Sequence, residues 1–459
     1  MNNYLDIIKL ATVGELNEYI IENEIFLTNT LSAFVEKIRN RVFMEQKCIL
    51  EQYLESFNFS LPNARVAQDY QYQLESIVFK DYEIVNMWVL GLEGTGLSYN
   101  PDTGVISGQA SEAGEISLTL YYQLDVEDEE HTLSRSLILV VNPDPRDLWK
   151  DIPTPSGIPY YKPDFEKCFI PRLQENGKNM VAASLRGRSH AHVGKARDDH
   201  FAMKFCEKTG WYILAVADGA GSAEYSRRGS QIACDVALTN CAGLLENDDE
   251  SLSEKIHVQY HDPSQAVEKS FSDALYYLLG KAAFNAYKSI EEEASSQAIQ
   301  TREFATTILI TIAKKFDFGW FVASFWVGDG ALAIYRRSED TTYLKIMGKP
   351  DGGEFAGQTR FLTMKEIMYN SQDIIARLKF DFIEDFTAVI LMTDGISDPK
   401  FETDANLEKP KMWDDLWSEL LAEVPQLAGD KEDPSDALLK WLLFWSQGNH
   451  DDRTIAILY

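Results

Sequence analysis

Strand-length apolar runs that alternate with long amphipathic segments constrain the fold of residues 172–459 more than any other feature. We predict strands at 211–217, 321–327, 386–392 and 454–459 and, in broad outline, at 306–313. Helical spacing of apolar residues predicts helices at 226–245, 265–293, 411–424 and 435–445. Strands of mixed spacing combined with long helices indicate a layered α+β domain.

Aspartates flank these predicted strands. They are Asp218, Asp329 and Asp394 after strands, and Asp198–Asp199 and Asp451–Asp452 before strands. Because the end of one antiparallel strand lies beside the start of its neighbour, these side chains can meet at one sheet edge. Converging carboxylates repel unless cations neutralise them, and oxygen ligands favour Mg²⁺ or Mn²⁺. A single Asp-Gly is usually a plain turn, so the pattern leaves both a metal cluster and a set of turns open.

The charge balance excludes some classes of partner. The 459 residues carry 43 basic and 72 acidic side chains, a formal net charge of −29. Nucleic acids and anionic membranes are held by lysine and arginine, so neither is expected as a partner. The sequence contains no apolar run long enough for a membrane span and no pattern of a signal peptide. Five cysteines without a C-x-x-C motif are typical of a reducing compartment, so we expect a cytoplasmic location.

Three further regions precede the α+β domain. Residues 1–58 have helical spacing, and residues 62–142 contain short β-rich runs of the size of a small β-sandwich. Within the second region, the sequence GLSYNPDTGVISGQASEAGEISLTL at 96–120 resembles the Ig-like, cadherin-like modules of bacterial proteins. Seven of the 15 prolines lie between Pro143 and Pro171, which predicts a linker over 143–171 and a domain boundary there.

Within the α+β domain, a Gly-rich stretch at 350–363 fits either a substrate-contacting flap or a surface loop.

The acidic motifs of residues 182–459 occur in a recognisable order. They are D-G-x-G-S at 218–222, T-T at 306–307, G-D-G at 328–330, T-D-G at 393–395 and D-D-x-T at 451–454. This order resembles the PPM-type (type 2C) metal-dependent protein phosphatases, and the sequences around 187–199 and 217–222 are most similar to a bacterial branch of that family. The resemblance implies a four-layer α/β/β/α sandwich, two antiparallel sheets flanked by helices.

The resemblance also implies a ligand set and an activity. The implied metal ligands are Asp199, Asp218, the Gly219 carbonyl, Asp394 and Asp451, with Asp329 for a third, weaker ion and Asp198 where many members have glutamate. The implied cofactors are two Mn²⁺ or Mg²⁺ ions. The implied reaction is hydrolysis of phosphoserine and phosphothreonine in proteins by a metal-activated water, within bacterial signalling. A phosphoprotein is then the substrate, and a cognate Ser/Thr kinase is an expected partner.

Two positions depart from the family pattern. Ala220 stands where better-known members have a histidine suited to protonate the leaving group, and Gly194 stands where they have a phosphate-binding arginine. We take His190 as the candidate acid, and the candidate phosphate ligands are Arg186, Arg188 and Arg197. The departures keep two alternatives open: a pseudophosphatase or phosphoprotein-binding scaffold, and a two-metal phosphohydrolase acting on a small molecule. Targeting or regulation is the role expected for the N-terminal regions.

Overall fold

The structure is a computed structural model that describes residues 24–56, 60–74, 84–126, 129–338, 341–351, 359–429 and 432–459. The chain divides into two units, one up to Leu148 and one from Trp149. The part of the predicted N-terminal helix at 1–23, and residues 352–358 of the Gly-rich stretch, lie outside the described residues. Among the described helices, none has the length and apolar character needed to cross a membrane.

The first unit contains a long helix and a β-rich region. Helix α1 spans Glu24–Ser56. The strands are β1 (Ala64–Arg65), β2 (Asp69–Gln73), β3 (Ile84–Leu90), β4 (Leu97–Asn100), β5 (Val105–Gln109), β6 (Gly114–Val126) and β7 (Glu129–Asn142). They form two sheets, of order β1-β7-β6-β3 and β2-β5-β4, and a 3-10 turn at Pro145–Leu148 follows. Buried Ile106, Leu118 and Leu139 belong to one apolar cluster that joins the two sheets. The Ig-like assignment stays a prediction.

The second unit is built on two antiparallel sheets. Its strands are β8 (Phe165–Ile170), β9 (Met180–Leu185), β10 (His200–Cys206), β11 (Trp211–Ala217), β12 (Ile308–Phe316), β13 (Gly319–Val327), β14 (Ala331–Arg336), β15 (Tyr343–Gly348), β16 (Leu378–Ile383), β17 (Ala388–Met392) and β18 (Arg453–Leu458). One sheet has the order β10-β11-β12-β13-β16, and the other has the order β15-β14-β17-β18-β9-β8.

Helices pack against these sheets. They are α2 (Arg188–Val193), α3 (Ser226–Asn247), α4 (Asp249–His261), α5 (Gln265–Leu275), α6 (Lys281–Ser296), α7 (Lys365–Met368), α8 (Ser371–Ala376), α9 (Asp394–Phe401), α10 (Asp404–Leu407), α11 (Pro410–Glu423) and α12 (Ser435–Trp441). The long helix predicted at 265–293 is divided by a π-helical turn at Tyr276–Gly280. Short 3-10 turns lie at Thr301–Phe304 and Pro425–Ala428.

Strand β11 shows how the core is divided. All seven of its residues are buried. Ile213 and Ala215 belong to a cluster shared with α3 and α6, whereas Leu214 and Val216 belong to a cluster shared with the other sheet. A third cluster joins the other sheet to α9, α11 and α12. A strand covered on both faces has no polar alternation, which explains the continuous apolar run in the sequence. The α+β class is confirmed, while the full four-layer order stays a prediction.

The proline-rich segment differs from the linker predicted at 143–171. From Trp149 onward it belongs to the second unit, and Phe165–Ile170 pairs with β9 as strand β8. Prolines lack a donor N–H but keep their carbonyl. The carbonyls of Pro159 and Pro163 accept hydrogen bonds from Arg227 and Arg197 respectively, so the segment is held by its acceptors.

Candidate metal centre

Strand pairing brings Asp199 and Asp218 together in the first sheet. His200, which opens β10, pairs with Ala217, which closes β11. Asp199 precedes the first of these residues and Asp218 follows the second. The two carboxylates therefore lie at the same edge of the sheet, as antiparallel pairing requires.

The second sheet places three more aspartates in the same way. Met392 at the end of β17 pairs with Ile455 of β18 and Ala331 of β14. The aspartates Asp329, Asp394 and Asp451 lie two residues outside β14, β17 and β18 respectively. Each strand end thus contributes one carboxylate at the same edge, as the sequence pattern predicts.

Two threonines fix the backbone of Asp218. The Asp218 N–H donates to Thr307 Oγ1 at 2.9 Å. The Asp218 carbonyl accepts from Thr306 Oγ1 at 2.7 Å and from the Thr307 N–H at 2.8 Å. The T-T motif at 306–307 therefore holds the strand end from which the Asp218 side chain projects.

Glycine is required at two positions beside the aspartates. A Cβ on Gly219 would lie 2.8 Å from the carbonyl oxygen of Asp198. A Cβ on Gly395 would lie 1.9 Å from the carbonyl oxygen of Asp452. Only a residue without a side chain allows such close approach of two backbone segments.

Asp218, Asp329 and Asp394 form a carboxylate cluster. Each places an oxygen within 4.8 Å of the others. Within the described part of the chain, Oδ1 of Asp329 and Oδ1 of Asp394 are buried without a hydrogen-bond partner, while Asp329 Oδ2 accepts from Thr359 at 2.5 Å. Burial and the neighbouring negative charges raise the pKa of Asp218 and of Asp394 well above the usual range. Crowded oxygens that lack donors fit hard divalent cations such as Mg²⁺ or Mn²⁺.

Asp199 adds a fully buried carboxylate to this edge. Its Oδ2 accepts from Thr393 Oγ1 at 2.9 Å, whereas its Oδ1 has no partner among the described residues. Burial, followed by the charge of Asp452, raises the pKa of Asp199 to about 7 and that of Asp198 to about 6. The same two causes raise the pKa of Asp451. These acids are held in a charged form only at a cost, which a bound cation would remove.

Asp452 differs from its neighbours because donors surround it. Its carboxylate accepts from the backbone N–H groups of Gly187 at 2.6 Å and Asp198 at 2.5 Å, and from that of Asp199 at 3.3 Å. The ring of His190 lies 2.9 Å away through Nδ1. Burial alone would raise the pKa of Asp452, but the charge of His190 and these hydrogen bonds lower it below its usual value. Asp452 therefore ties the His190 helix to the Asp198–Asp199 segment.

His190 faces the loop that follows Asp218. Its Nε2 lies 3.6 Å from Asp198 Oδ2, and a Cβ on Gly221 would lie 4.0 Å from the same nitrogen. Burial opposes the charged form of the ring, but Asp452 and Asp198 outweigh burial and raise the pKa of His190 to about 9. The imidazole is therefore a proton donor at neutral pH, as a candidate acid must be.

The three candidate phosphate-binding arginines have acceptors other than the carboxylate cluster. Arg186 bonds Asp151 and Thr154, Arg188 bonds the carbonyls of Leu443 and Phe444, and Arg197 bonds Glu166 and the Pro163 carbonyl. Of the sequence-predicted residues, the structure brings Asp218, Asp329 and Asp394 into one cluster, and it groups Asp451 with His190 and Asp452 as a second set of possible metal-binding side chains. It places the arginine guanidinium groups in separate networks, so their role in phosphate binding stays a prediction.

The two departures from the family pattern have local structural roles. Ala220 is buried against Ala223, Ala305 and Phe361. Gly194 has φ of 70° and ends α2, the helix that carries His190. Left-handed backbone is the usual reason for glycine at a helix C-terminus.

Sequence reasoning missed two residues of this network. Asp452 had a signal, its position beside Asp451, but nothing in the pattern shows which aspartate would receive the backbone donors. Lys162 had none, because it lies in the proline-rich segment. Its buried Nζ donates to the Asp199 carbonyl at 2.7 Å and to Ser230 Oγ at 3.1 Å. Burial and the charge of Arg197 lower the pKa of Lys162 to about 7.

The edge at which the antiparallel sheets gather aspartates therefore holds carboxylate oxygens whose spacing fits a divalent cation. The chain belongs to the protein phosphatase 2C family: residues 186–442, more than half of the chain, match the model of that family.

Similar structures include serine-threonine phosphatase 2C from Toxoplasma gondii, at 13% identity over 65% of this chain and 99% of that chain, with a TM-score of 0.38. Another is the catalytic domain of the serine threonine protein phosphatase PstP in complex with two manganese ions, at 16% identity over 64% of this chain and 98% of that chain, with a TM-score of 0.35. No curated protein matches the chain. The family assignment rests on the family model alone.

Proposed function

We propose that the chain is a metal-dependent protein-serine/threonine phosphatase. The observation that carries the proposal is the cluster of Asp218, Asp329 and Asp394, whose crowded oxygens include buried ones without donors. This cluster lies in a chain of the protein phosphatase 2C family. Family membership supports phosphoproteins as the substrate class, and the cluster supports a requirement for Mg²⁺ or Mn²⁺.

The chain supplies oxygen ligands of several kinds. In this proposal two ions are held by Asp199, Asp218, the Gly219 carbonyl, Asp394 and Asp451, and a third, weaker ion by Asp329. Such cations, when bound, lower the pKa of water and offset charge on phosphoryl oxygens. The Asp198 carboxylate faces His190, so we propose that it acts mainly by orienting the imidazole ring.

His190 supplies the proton in this proposal. Hydrolysis forms a bond between a water oxygen and phosphorus and breaks the bond between phosphorus and the seryl or threonyl oxygen. The departing oxygen needs a proton, and the Asp452–His190 pair holds one on the ring. His190 thereby takes the role for which Ala220 has no suitable group, and a general acid contributes about 10²–10⁴-fold to the rate.

The regions before the second unit extend the proposal. We propose that α1 and the β-rich region target or regulate the phosphatase and that a cognate Ser/Thr kinase acts on the same substrates. A bacterial source and a cytoplasmic location remain predictions from the sequence.

The proposal is tested with the full chain and a phosphothreonine peptide. We expect release of phosphate that depends on Mn²⁺ and stops with EDTA, because the carboxylates repel one another without a cation. Asp394→Asn should abolish the release by removing a ligand. Asp415→Asn is the matched control, since Asp415 is an exposed acid on α11 that pairs with Lys411, and it should leave the rate unchanged.

Three results would contradict the proposal, each in a different way. Chain that binds Mn²⁺ but turns over no phosphopeptide would be a pseudophosphatase or scaffold. Turnover of a nucleotide or small phosphate ester without turnover of phosphopeptides would indicate a small-molecule phosphohydrolase. A rate for Asp394→Asn equal to that of Asp415→Asn would remove the carboxylate cluster from the mechanism.

A further inference from the structure

The segment that opens the second unit is bound along the site rather than free. Residues 149–164, here called the strap, precede strand β8 and lie outside the residues that match the family model. Near its start, the N–H of Ile152 donates to the carbonyl of Ala191 at 2.9 Å, and the N–H of Lys150 donates to Nδ1 of His192 at 3.1 Å. The strap therefore contacts α2, the helix that carries His190.

The buried Arg186 side chain contacts residues near both ends of the strap. Arg186 donates to Asp151 at 2.8 Å and to Thr154 at 2.7 Å, and it lies 3.3 Å from Asp164. Thr154 in turn donates to Asp164 at 2.6 Å. Both ends of the strap are thus fixed to the residue that follows β9.

The middle of the strap contacts helices α3 and α6. The Pro159 carbonyl accepts two hydrogen bonds from Arg227 in the first turn of α3, at 3.1 and 2.8 Å. The Tyr160 hydroxyl donates to Glu293 at 2.8 Å, and its ring packs edge-on against Phe304. Helix α3 begins just after the loop of Asp218, so the strap contacts both the helix that carries His190 and the helix that follows the Asp218 loop.

Lys162 is where the strap reaches the metal-binding segment. Its side chain is 94% buried, and Nζ donates to the Asp199 carbonyl at 2.7 Å, to Ser230 Oγ at 3.1 Å and to the Asp198 carbonyl at 3.5 Å. Ser230 also donates to the Asp198 carbonyl. Two successive peptide groups are therefore fixed by one ammonium group from a different segment. A buried amine reaches such carbonyls only at the cost of its desolvation, which these bonds offset.

We propose that Lys162 is a positioning residue: it holds the Asp198–Asp199 backbone so that the Asp199 carboxylate faces Asp218 for cation binding. This inference rests on the proposed function for the identity of the site. The physical reason is geometric: the Asp199 carboxylate lies beside Asp218 at the sheet edge, so a bond from Lys162 to the Asp199 carbonyl limits movement of the segment that carries this carboxylate. Groups that orient metal ligands typically alter metal affinity about 10–100-fold.

The test measures binding of Mn²⁺ to the full-length chain by calorimetry, with thermal unfolding of the EDTA-treated chain as a second readout. Lys162→Met removes the ammonium group but keeps most of the side-chain length, and we expect Mn²⁺ to bind about 10-fold more weakly. Lys162→Gln keeps an uncharged amide NH₂ as a donor group and should weaken binding less; it also serves if the methionine variant does not fold. Lys150→Met is the matched control, because that side chain is exposed and the strap uses only its N–H.

A lysine that only stabilised the fold would lower the unfolding temperature but leave the Mn²⁺ affinity of the folded chain unchanged. Equal Mn²⁺ affinity for wild type and both Lys162 variants, measured below their unfolding temperatures, would therefore overturn the inference. Failure of the proposed function is separate: wild-type chain that binds Mn²⁺ without phosphopeptide turnover contradicts the function but leaves the affinity comparison valid. Wild-type chain that binds no Mn²⁺ overturns both.

Discussion

Two acidic groups lie side by side in the second unit and have opposite surroundings. The cluster of Asp218, Asp329 and Asp394 contains buried oxygens without donors, and burial and neighbouring carboxylates raise the pKa of Asp218 and of Asp394. Asp452 accepts three backbone N–H groups and contacts His190, and its pKa is lowered. The charged form of the cluster is unfavourable without a cation, whereas the charged form of Asp452 is stabilised by its donors.

The difference shows that one residue type serves two purposes in one site. Asp452 uses its charge to fix the backbone of the segments around it, so it needs nothing from solution. The carboxylates of the cluster repel one another when charged, and a bound cation offsets this repulsion. Cation binding at the cluster therefore stabilises the folded chain. Removing a charge from the cluster should therefore stabilise the metal-free chain, whereas removing the charge of Asp452 should destabilise it.

The largest expected effect is on activity, from Asp218→Asn. Losing a carboxylate from the cluster should lower phosphopeptide turnover by about 10³-fold, because the charge stabilisation of the phosphoryl group is weakened. The same change should raise the unfolding temperature of the EDTA-treated chain, since it removes repulsion with Asp394 and Asp199. Steady-state kinetics measure the turnover, and calorimetric scans measure the unfolding temperature. An unfolding temperature below that of wild type would contradict the expected relief of repulsion in the cluster.

The next effect concerns His190→Gln. Turnover at saturating Mn²⁺ should fall by about 10²-fold, because the departing oxygen loses its proton donor. The wild-type rate should decline on the alkaline side as His190 loses its proton, and the variant should lack this decline. Profiles of kcat against pH make the measurement. A variant that keeps the alkaline decline would show that another group is the acid.

Asp452→Asn should act on stability first and activity second. Replacing the charged acceptor weakens its bonds to the backbone N–H groups of Gly187 and Asp198, at a cost of about 3 kcal/mol in the free energy of unfolding. Activity should fall by about 10-fold, because Asp199 and His190 lose their orientation. Urea unfolding of the EDTA-treated chain is the readout. If Asp452→Asn instead stabilised the metal-free chain, as expected for Asp218→Asn, Asp452 would not differ from the cluster in how its charge affects stability.

The smallest effect is the pH dependence of the metal-free chain. The pKa of Asp199 is raised to about 7, so the folded chain binds a proton that the unfolded chain releases near pH 4, and stability falls as pH rises between these values. The raised pKa of His190, about 9, adds stability below about pH 6.5 that is lost as pH rises through 9. The unfolding temperature in EDTA should therefore fall by a few degrees from about pH 5 to about pH 8.

Saturating Mn²⁺ is the control for this pH series. A bound cation favours the charged carboxylates, so the fall with rising pH should shrink or reverse. A metal-free chain whose stability rises steadily over the same range would contradict the raised pKa of Asp199.

The sequence predicts the α+β class and several strands and helices of the second unit, for physical reasons that particular elements show. Strand β11 was predicted with its observed bounds because both of its faces are buried and every residue is apolar. The helix at 265–293 was predicted in one piece because its apolar stripe continues through the π-helical turn at Tyr276–Gly280. A periodicity average does not detect one wide turn inside a continuous stripe.

The site was predictable only in part. The aspartates of the cluster follow or precede strands, so their convergence follows from antiparallel pairing. Asp452 and Lys162 act on the backbone of distant segments, and a pattern along the chain carries no information on which carbonyl or N–H a side chain will meet. The proline-rich composition around Lys162 favours a linker, whereas the observed strap depends on donors and acceptors in α2, in α3 and at Arg186, which follows β9.

The most direct test of the central claim is a crystal structure of the chain with Mn²⁺, using anomalous scattering to locate the ions. We expect anomalous density between Asp218, Asp329 and Asp394, with further density beside Asp199, and none in direct contact with Asp452. Absence of density at the cluster in crystals containing millimolar Mn²⁺, or an ion held by Asp452, would contradict it.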